Sequence, residues 1–162
     1  MIYLDGNHLT LEEVIRAARE NEKVDLSPTG EAQILKSRKI VDKILEEERP
    51  VYGISTGFGD FSKVFIEKSK RAKLQRNLIL SHATGVGEYF SKDIVRAAML
   101  LRANSLAKGY SGIRLDTVKM LLAMLNKDIT PAIPNRRMTA PSAALAYLPG
   151  WKAQGHYWSK SR

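Results

Sequence analysis

The sequence predicts a mainly α-helical fold with little β-strand. Three observations support this prediction. Apolar residues recur at helical spacing over most of the chain, residues that cap helices precede these stretches, and glycine or proline follows them. With 162 residues, 44% of them hydrophobic, the chain has the size of one domain and can bury a substantial core.

The first two helices are predicted from their start signals. Residues 10–13, Thr-Leu-Glu-Glu, have the form of a capping box and predict a short helix to about Asn21. Ser27-Pro28 combines a capping serine with proline at the first helical position, where its missing N–H is tolerated. The apolar residues that follow fall on one stripe of a second helix: Ile34, Val41, Ile44 and Leu45.

Three further helices are predicted along the chain. One covers about residues 66–80, and another begins at Ser91 and ends near Lys108, where Gly109 stops it. The segment 115–125 is apolar almost all round, which predicts burial in a large core or against other subunits. Pro131 and Pro134 then end the helical region.

The net charge of +9 is unevenly distributed. Residues 135–162 hold five basic residues and no acid, so this segment carries +5, and the remaining 21 basic and 17 acidic residues leave +4. In the larger part the signs alternate, as on solvated helix faces, which argues against a nucleic-acid binder. The chain has no cysteine, no apolar run long enough to span a membrane and no secretion signal at residues 1–5. These features predict a cytoplasmic protein without membrane or nucleic-acid partners.

Residues 52–59, Tyr-Gly-Ile-Ser-Thr-Gly-Phe-Gly, are the most informative stretch. Three closely spaced glycines suit a backbone that turns sharply and approaches another group, with one phenol at its entrance. Tyr52 is a candidate general base, although a phenol needs neighbours that favour the phenolate to act near neutral pH. The alternative interpretation is an ordinary glycine-rich connection with a packed tyrosine ring.

Two later blocks carry further candidates. In residues 78–87, His82 follows an apolar run and stands near a predicted helix end, where the dipole favours an imidazolium; a core or capping histidine is the alternative. In residues 101–114, we expect Arg102 and Asn104 to hold helix contacts rather than to act in catalysis. The three histidines are far apart and lack metal-ligand spacing, so no metal site is predicted.

The blocks 52–59, 78–87 and 101–114, in this order, resemble the N-terminal part of the aromatic amino acid ammonia-lyases, from about Ile2 to Pro134. The pair Ser81-His82 is most similar to the histidine-specific members. The resemblance implies the N-terminal helical domain of the ammonia-lyase superfamily, a homotetramer, and elimination of ammonia from L-histidine to give trans-urocanate. It also implies that Tyr52 removes the β-proton of the substrate, that His82 binds the substrate, and that Gly59 places backbone against the pocket.

Family members make their own electrophile, a methylidene-imidazolone, from an Ala-Ser-Gly triplet that follows a Pro-x-Ile-Pro sequence. This chain has Pro-Ala-Ile-Pro at 131–134, and an alignment without gaps puts Ser142 at the triplet serine, between Pro141 and Ala143. Cyclisation requires a compressed backbone that glycine permits, whereas Pro141 has a fixed φ and Ala143 adds a Cβ. We therefore expect no external cofactor, and no electrophile in this chain.

The composition changes abruptly after residue 134. We predict a lyase-like helical domain over residues 1–134 and a divergent basic tail over 135–162, arising from a reading-frame change or a truncated gene product. On this basis the chain by itself is expected to be inactive. Three alternatives remain: a catalytically silent helical interaction module, a tyrosine or phenylalanine lyase or aminomutase, and a basic nucleic-acid binder.

Overall fold

The computed structural model describes residues 1–56 and 85–137, the single positions 66, 69, 73, 74, 76 and 77, and the pair 157–158. Four helices form close to half of these residues: α1 (Leu11–Arg19), α2 (Pro28–Glu46), α3 (Lys92–Ala107) and α4 (Leu115–Asn126). The strands among them are short: β1 (Ile2–Leu4), β2 (Val24–Leu26), β3 (Gly85–Tyr89), β4 (Thr130–Pro131), β5 (Pro134–Arg137) and β6 (Tyr157–Trp158). The prediction of a mainly α fold with little strand is confirmed.

The helices begin where their capping residues predict. Before α1, the backbone N–H of Glu13 donates to the Thr10 hydroxyl at 3.3 Å, and the N–H of Thr10 donates to the Glu13 carboxylate at 2.9 Å. Before α2, the N–H of Gly30 donates to the Ser27 hydroxyl at 3.0 Å. Ser91 occupies the N-cap position of α3. The contacts of Thr10 and Ser27 satisfy N–H groups that a helix start leaves without a partner, whereas the Ser91 side chain makes no capping hydrogen bond.

The helix predicted over residues 66–80 lies largely outside the described residues. The helical positions described there are 69, 73, 74, 76 and 77.

The two strands near the start of the chain form a parallel pair beneath the helices. Ile2 lies opposite Val24, and Leu4 lies opposite Leu26. All four side chains are buried, whereas the intervening Tyr3 and Asp25 are exposed, so each strand follows the two-residue alternation of a sheet with one covered face.

Helix α3 lies at the centre of the core and packs against α1, α2 and α4. Its buried apolar residues are Val95, Met99, Leu100, Ala103, Leu106 and Ala107. Helix α4 buries Val118, Leu121, Leu122 and Leu125, but Met120 is 55% exposed. Within the described part of the chain, the all-round apolar α4 is therefore covered on one face only. No described helix is both long and apolar enough to cross a membrane.

Candidate functional site

The predicted base Tyr52 lies in a tight turn. The backbone N–H of Ile54 donates to the carbonyl of Val51 at 3.1 Å, which closes a four-residue turn around Tyr52 and Gly53. Gly53 has φ of +73°, the left-handed conformation that a type II turn requires at its third residue. A glycine after the tyrosine thus permits this turn, in agreement with the sharp turn that the glycines of residues 52–59 predict.

Ser55 holds this turn together and was missed in the sequence interpretation. Its hydroxyl accepts a hydrogen bond from the N–H of Val51 at 2.8 Å and donates to the carbonyl of Arg49. Its N–H donates to the carbonyl of Val51 at 3.0 Å, and its own carbonyl accepts from the N–H of Ile66 at 2.9 Å. The Ser55 side chain is buried, so these bonds are shielded from water. The sequence feature that could have indicated this anchoring role is a serine three residues after the tyrosine, between two glycines.

The turn presents the Tyr52 ring outward. Tyr52 is 63% exposed, although its neighbours Ser55 and Thr56 are buried. A general base must first be placed within hydrogen-bonding reach of the proton that it removes. The backbone on both sides of the tyrosine is held by hydrogen bonds, and this fixes the position from which the ring extends.

The second feature of the candidate site is the two-stranded ribbon β3–β5, which lies close in sequence to His82 and Ser142. Strands β3 and β5 pair antiparallel, with Gly85 opposite Arg137 and Val86 opposite Arg136. The N–H of Phe90 donates to the carbonyl of Ile133 at 2.9 Å and extends the ladder. Gly85 and Arg137 thus form the same end of the ribbon; in the sequence, His82 precedes Gly85 by three residues and Ser142 follows Arg137 by five. His82, Gly59 and Ser142 themselves lie outside the described residues.

The two helix residues predicted to be structural differ in their contacts. The side-chain carbonyl of Asn104 accepts a hydrogen bond from the N–H of Gly6 at 2.9 Å and ties α3 to the loop after β1. Arg102 has a buried Nε for which the described part of the chain offers no hydrogen-bond acceptor. Asn104 thus makes the kind of helix contact that was expected, whereas the described residues contain no partner that explains the buried Nε of Arg102.

Near Gly6, the carboxylate of Asp5 organises the loop between β1 and α1. It accepts hydrogen bonds from the ring of His8 and from the N–H groups of Asn7 at 2.8 Å and His8 at 3.0 Å. The His8 ring, followed by these two N–H groups, holds the pKa of Asp5 well below its usual 3.8. Among residues 1–56, 85–137 and the few others described, no three histidine or acidic side chains are grouped as metal ligands.

Among the surface clefts of the described part of the chain, two lie away from Tyr52. One, of about 400 Å³, lies between α1 and the start of α3 and is lined by Ala18, Arg19, Asn21, Lys92, Asp93 and Arg96. The other, of about 320 Å³, is lined by residues of α2 and of the loop after α3, including Lys36, Lys108 and Tyr110. Neither cleft is lined by Tyr52.

Comparison with known proteins adds independent evidence. The family model described as aromatic amino acid lyase matches residues 9–149. Curated histidine ammonia-lyases from Alkaliphilus oremlandii and Clostridium tetani are 50% and 52% identical to the chain over 147 residues. Each match covers 91% of this chain but only 29% of the relative.

The fold also matches a solved family structure. Tyrosine aminomutase from Streptomyces globisporus superposes with a TM-score of 0.79 and 42% sequence identity, over 85% of this chain and 26% of that one. The family model, the histidine ammonia-lyases and this fold agree with the three sequence blocks and with the helical core. The chain therefore belongs to the aromatic amino acid lyase family, whose members use a self-made methylidene-imidazolone.

Proposed function

We propose that this chain represents the N-terminal part of a histidine ammonia-lyase, which eliminates ammonia from L-histidine to give trans-urocanate. The observation that carries the proposal is the identity of about 50% to histidine ammonia-lyases over nearly the whole chain. Because the chain spans only 29% of those relatives, it lacks counterparts for most of their residues. The proposal therefore assigns the activity to the family-length enzyme and not to this chain alone.

Within that enzyme the chain contributes one side of the site. We assign Tyr52 as the group that takes the β-proton of the substrate, a role that its anchored, outward-facing turn supports. His82 contacts the substrate and Gly59 lies against it as pocket backbone. The shared end of the β3–β5 ribbon supports a site to which the segments of His82 and Ser142 both contribute. The proposed compartment is the cytoplasm, and the proposed assembly is a homo-oligomer.

The residues at the electrophile position do not fit formation of a methylidene-imidazolone. The ring requires the amide nitrogen after the serine to attack the carbonyl before it, and here these groups belong to Ala143 and Pro141. The fixed φ of proline and the added Cβ of alanine oppose the compressed backbone of that attack. We therefore propose that Ser142 remains an unmodified serine, that the chain alone is inactive, and that 135–162 is a basic tail whose sequence diverges from the lyase-like domain of residues 1–134.

This mismatch favours a second candidate function, a catalytically silent helical interaction module. Such a module would keep the Tyr52 turn and the β3–β5 ribbon as structure only. The likeness to tyrosine aminomutase keeps a tyrosine-specific or phenylalanine-specific parent as a variant of the first proposal.

A chimera tests the proposal. Residues 1–134 are joined to the part of the Clostridium tetani relative that follows its counterpart of Pro134, which supplies that enzyme's own residues at the electrophile position. We expect the purified chimera to form urocanate from L-histidine, followed by ultraviolet absorbance. The original chain should form none, and its intact mass should show no loss of two water molecules.

Matched variants assign the base. In the chimera, Tyr52→Phe should lower kcat by roughly 10²- to 10⁴-fold, the usual contribution of a general base. Tyr110→Phe, at a tyrosine that is 91% exposed, should leave it unchanged. A folded chimera that does not act on L-histidine would refute the histidine assignment, and turnover of tyrosine instead would favour the aminomutase variant.

A further inference from the structure

Helix α3 carries two arginines with different surroundings, and the first is fully partnered. Arg96 is only 2% exposed and lies between the C-terminal turns of two other helices. Its guanidinium donates to the carbonyls of Ala17 at 2.7 Å, Ala18 at 3.2 Å and Leu125 at 3.0 Å, and to the Asp128 carboxylate at 3.2 Å. Arg96 thus binds carbonyl groups at the C-terminal ends of two helices, where the helix itself leaves carbonyls without an intrahelical donor.

Arg102 lies six residues later, about 120° around the helix. Its Nε is buried, yet no acceptor in the described part of the chain lies within hydrogen-bonding distance. Buried polar atoms in folded proteins nearly always have a partner, and a guanidinium is best matched by a carboxylate. The arginine therefore indicates an acceptor that the described residues do not provide.

The surface beside Arg102 is apolar. Ile94 and Leu101 are each 51% exposed, and with the smaller residues Ala98 and Ser105 they form one side of α3, which we call the open face. The other sides of α3 are covered by α1, α2 and α4. Two large apolar side chains exposed side by side, on a helix whose other sides are covered, mark a surface that suits contact with another part of the protein.

We infer that the open face of α3 binds a helix from the part of the family polypeptide that this chain does not span, and that this helix places an aspartate or glutamate on Arg102. Two observations select this occupant. The chain covers only 29% of its relatives' length, which leaves ample sequence to supply a helix, and the unmet guanidinium donor is best matched by an acidic group. Ala98 between the two larger side chains, and Ser105 beyond Leu101, leave space into which a helix ridge fits.

Thermal unfolding of the full chain and of the chimera tests this inference, and it needs no catalytic activity. In the full chain, Arg102→Met should leave Tm unchanged or slightly raised, because it removes a buried donor without an acceptor. In the chimera, the same change should lower Tm by roughly 5 °C or more, since it leaves a buried carboxylate unpaired.

Two further arginines serve as controls. Arg96→Met should lower Tm in both proteins, because its acceptors lie within the chain. Arg114→Met, at an exposed arginine before α4, should change neither. A large loss of Tm for Arg102→Met in the full chain would show that the chain itself provides the acceptor, and would overturn the inference. Equal Tm values in the chimera with and without Arg102→Met would also overturn the inference.

Cysteine labelling provides a second readout, because the chain contains no cysteine of its own. In the full chain, Leu101→Cys should react with a thiol reagent at least about tenfold faster than Ala103→Cys, which replaces a fully buried residue on the same helix. In the chimera, peptide-level mass spectrometry should find that Leu101→Cys is protected from the reagent to about the same extent as Ala103→Cys. Continued fast labelling there would refute a covered face. Protection in the full chain that grows with its own concentration would instead identify a second copy as the occupant and would also refute the inference.

Discussion

At the scale of single residues, the hydroxyl of Ser55 is decisive for the Tyr52 turn. It accepts from the N–H of Val51 and donates to the carbonyl of Arg49, and the serine is only 1% exposed. Ser55→Ala should therefore lower the free energy of unfolding by about 1–2 kcal/mol, because it leaves partly buried backbone groups without their partner. Urea unfolding measures the loss, and Ser111→Ala in an exposed loop is the matched control.

Hydrogen exchange at individual amides shows whether the stability lost in Ser55→Ala is lost in the turn. The amides of Ile54 and Ser55 both donate to the carbonyl of Val51, so they should exchange faster in Ser55→Ala. Unchanged exchange at these two amides, despite lower global stability, would mean that the turn holds its shape without the hydroxyl.

A second prediction at this scale concerns acid. Because the ring of His8 and two backbone N–H groups lower the pKa of Asp5, the folded state favours the charged carboxylate. The stabilisation is complete above the ordinary value of 3.8 and is lost as the pH falls below it, towards the folded-state pKa. Asp5→Asn should thus lower Tm at pH 7 and reduce the further fall of Tm between pH 4 and lower pH. Glu46→Gln, at the exposed end of α2, is the control; a pH profile of Asp5→Asn parallel to that of the unaltered chain would contradict the prediction.

At the scale of elements, Gly30 shows how close α2 approaches β1. A Cβ at this position would lie 2.7 Å from the carbonyl oxygen of Leu4 and 3.4 Å from the Cβ of Ala107. Alanine would gain up to about 1 kcal/mol in helix propensity, but forcing apart packed backbone costs about 1–3 kcal/mol. The steric cost should therefore exceed the gain in helix propensity, and Gly30→Ala should unfold at a lower urea concentration than the unaltered chain. Thr29→Ala, exposed in the same turn, should be neutral or slightly stabilising; equal or greater stability of Gly30→Ala would show that the two elements can separate freely.

The elements also show which parts of the fold the sequence could predict. Helix starts were predictable because a cap is made by residues three apart, as in Thr10 with Glu13 and Ser27 with Gly30. The pairing of β3 with β5 was not, because α3 and α4 separate the two strands in the chain and nothing local specifies the register. Arg96 was missed for the same reason, since its acceptors lie on other elements. In the candidate site, glycine spacing predicted the turn at Tyr52, whereas the anchoring role of Ser55 depends on contacts that only the folded backbone creates.

At the scale of the whole molecule, the feature of interest is how far residues 135–162 fold together with the helical core. The predicted boundary after residue 134 treats 135–162 as a separate segment. In the structure, however, β6 pairs antiparallel with β4, with Trp158 opposite Thr130 and Tyr157 opposite Pro131. Strand β4 packs against α3, and Thr130 is fully buried. This pairing predicts that the end of the tail unfolds together with the core.

Tryptophan fluorescence can test that coupling because both tryptophans of the chain, Trp151 and Trp158, lie in the tail. In Trp151→Phe, Trp158 becomes the only tryptophan, so its emission reports on β6 while far-ultraviolet circular dichroism reports on the helices. If β6 is held by β4, both signals should change at the same urea concentration, as one cooperative transition requires. Gly30→Ala, which acts on the core far from the tail in sequence, should shift both midpoints equally. A Trp158 signal that changes before the helices unfold, or that ignores Gly30→Ala, would refute the β4–β6 pairing as part of the folded unit and support a tail that is independent of the lyase-like domain.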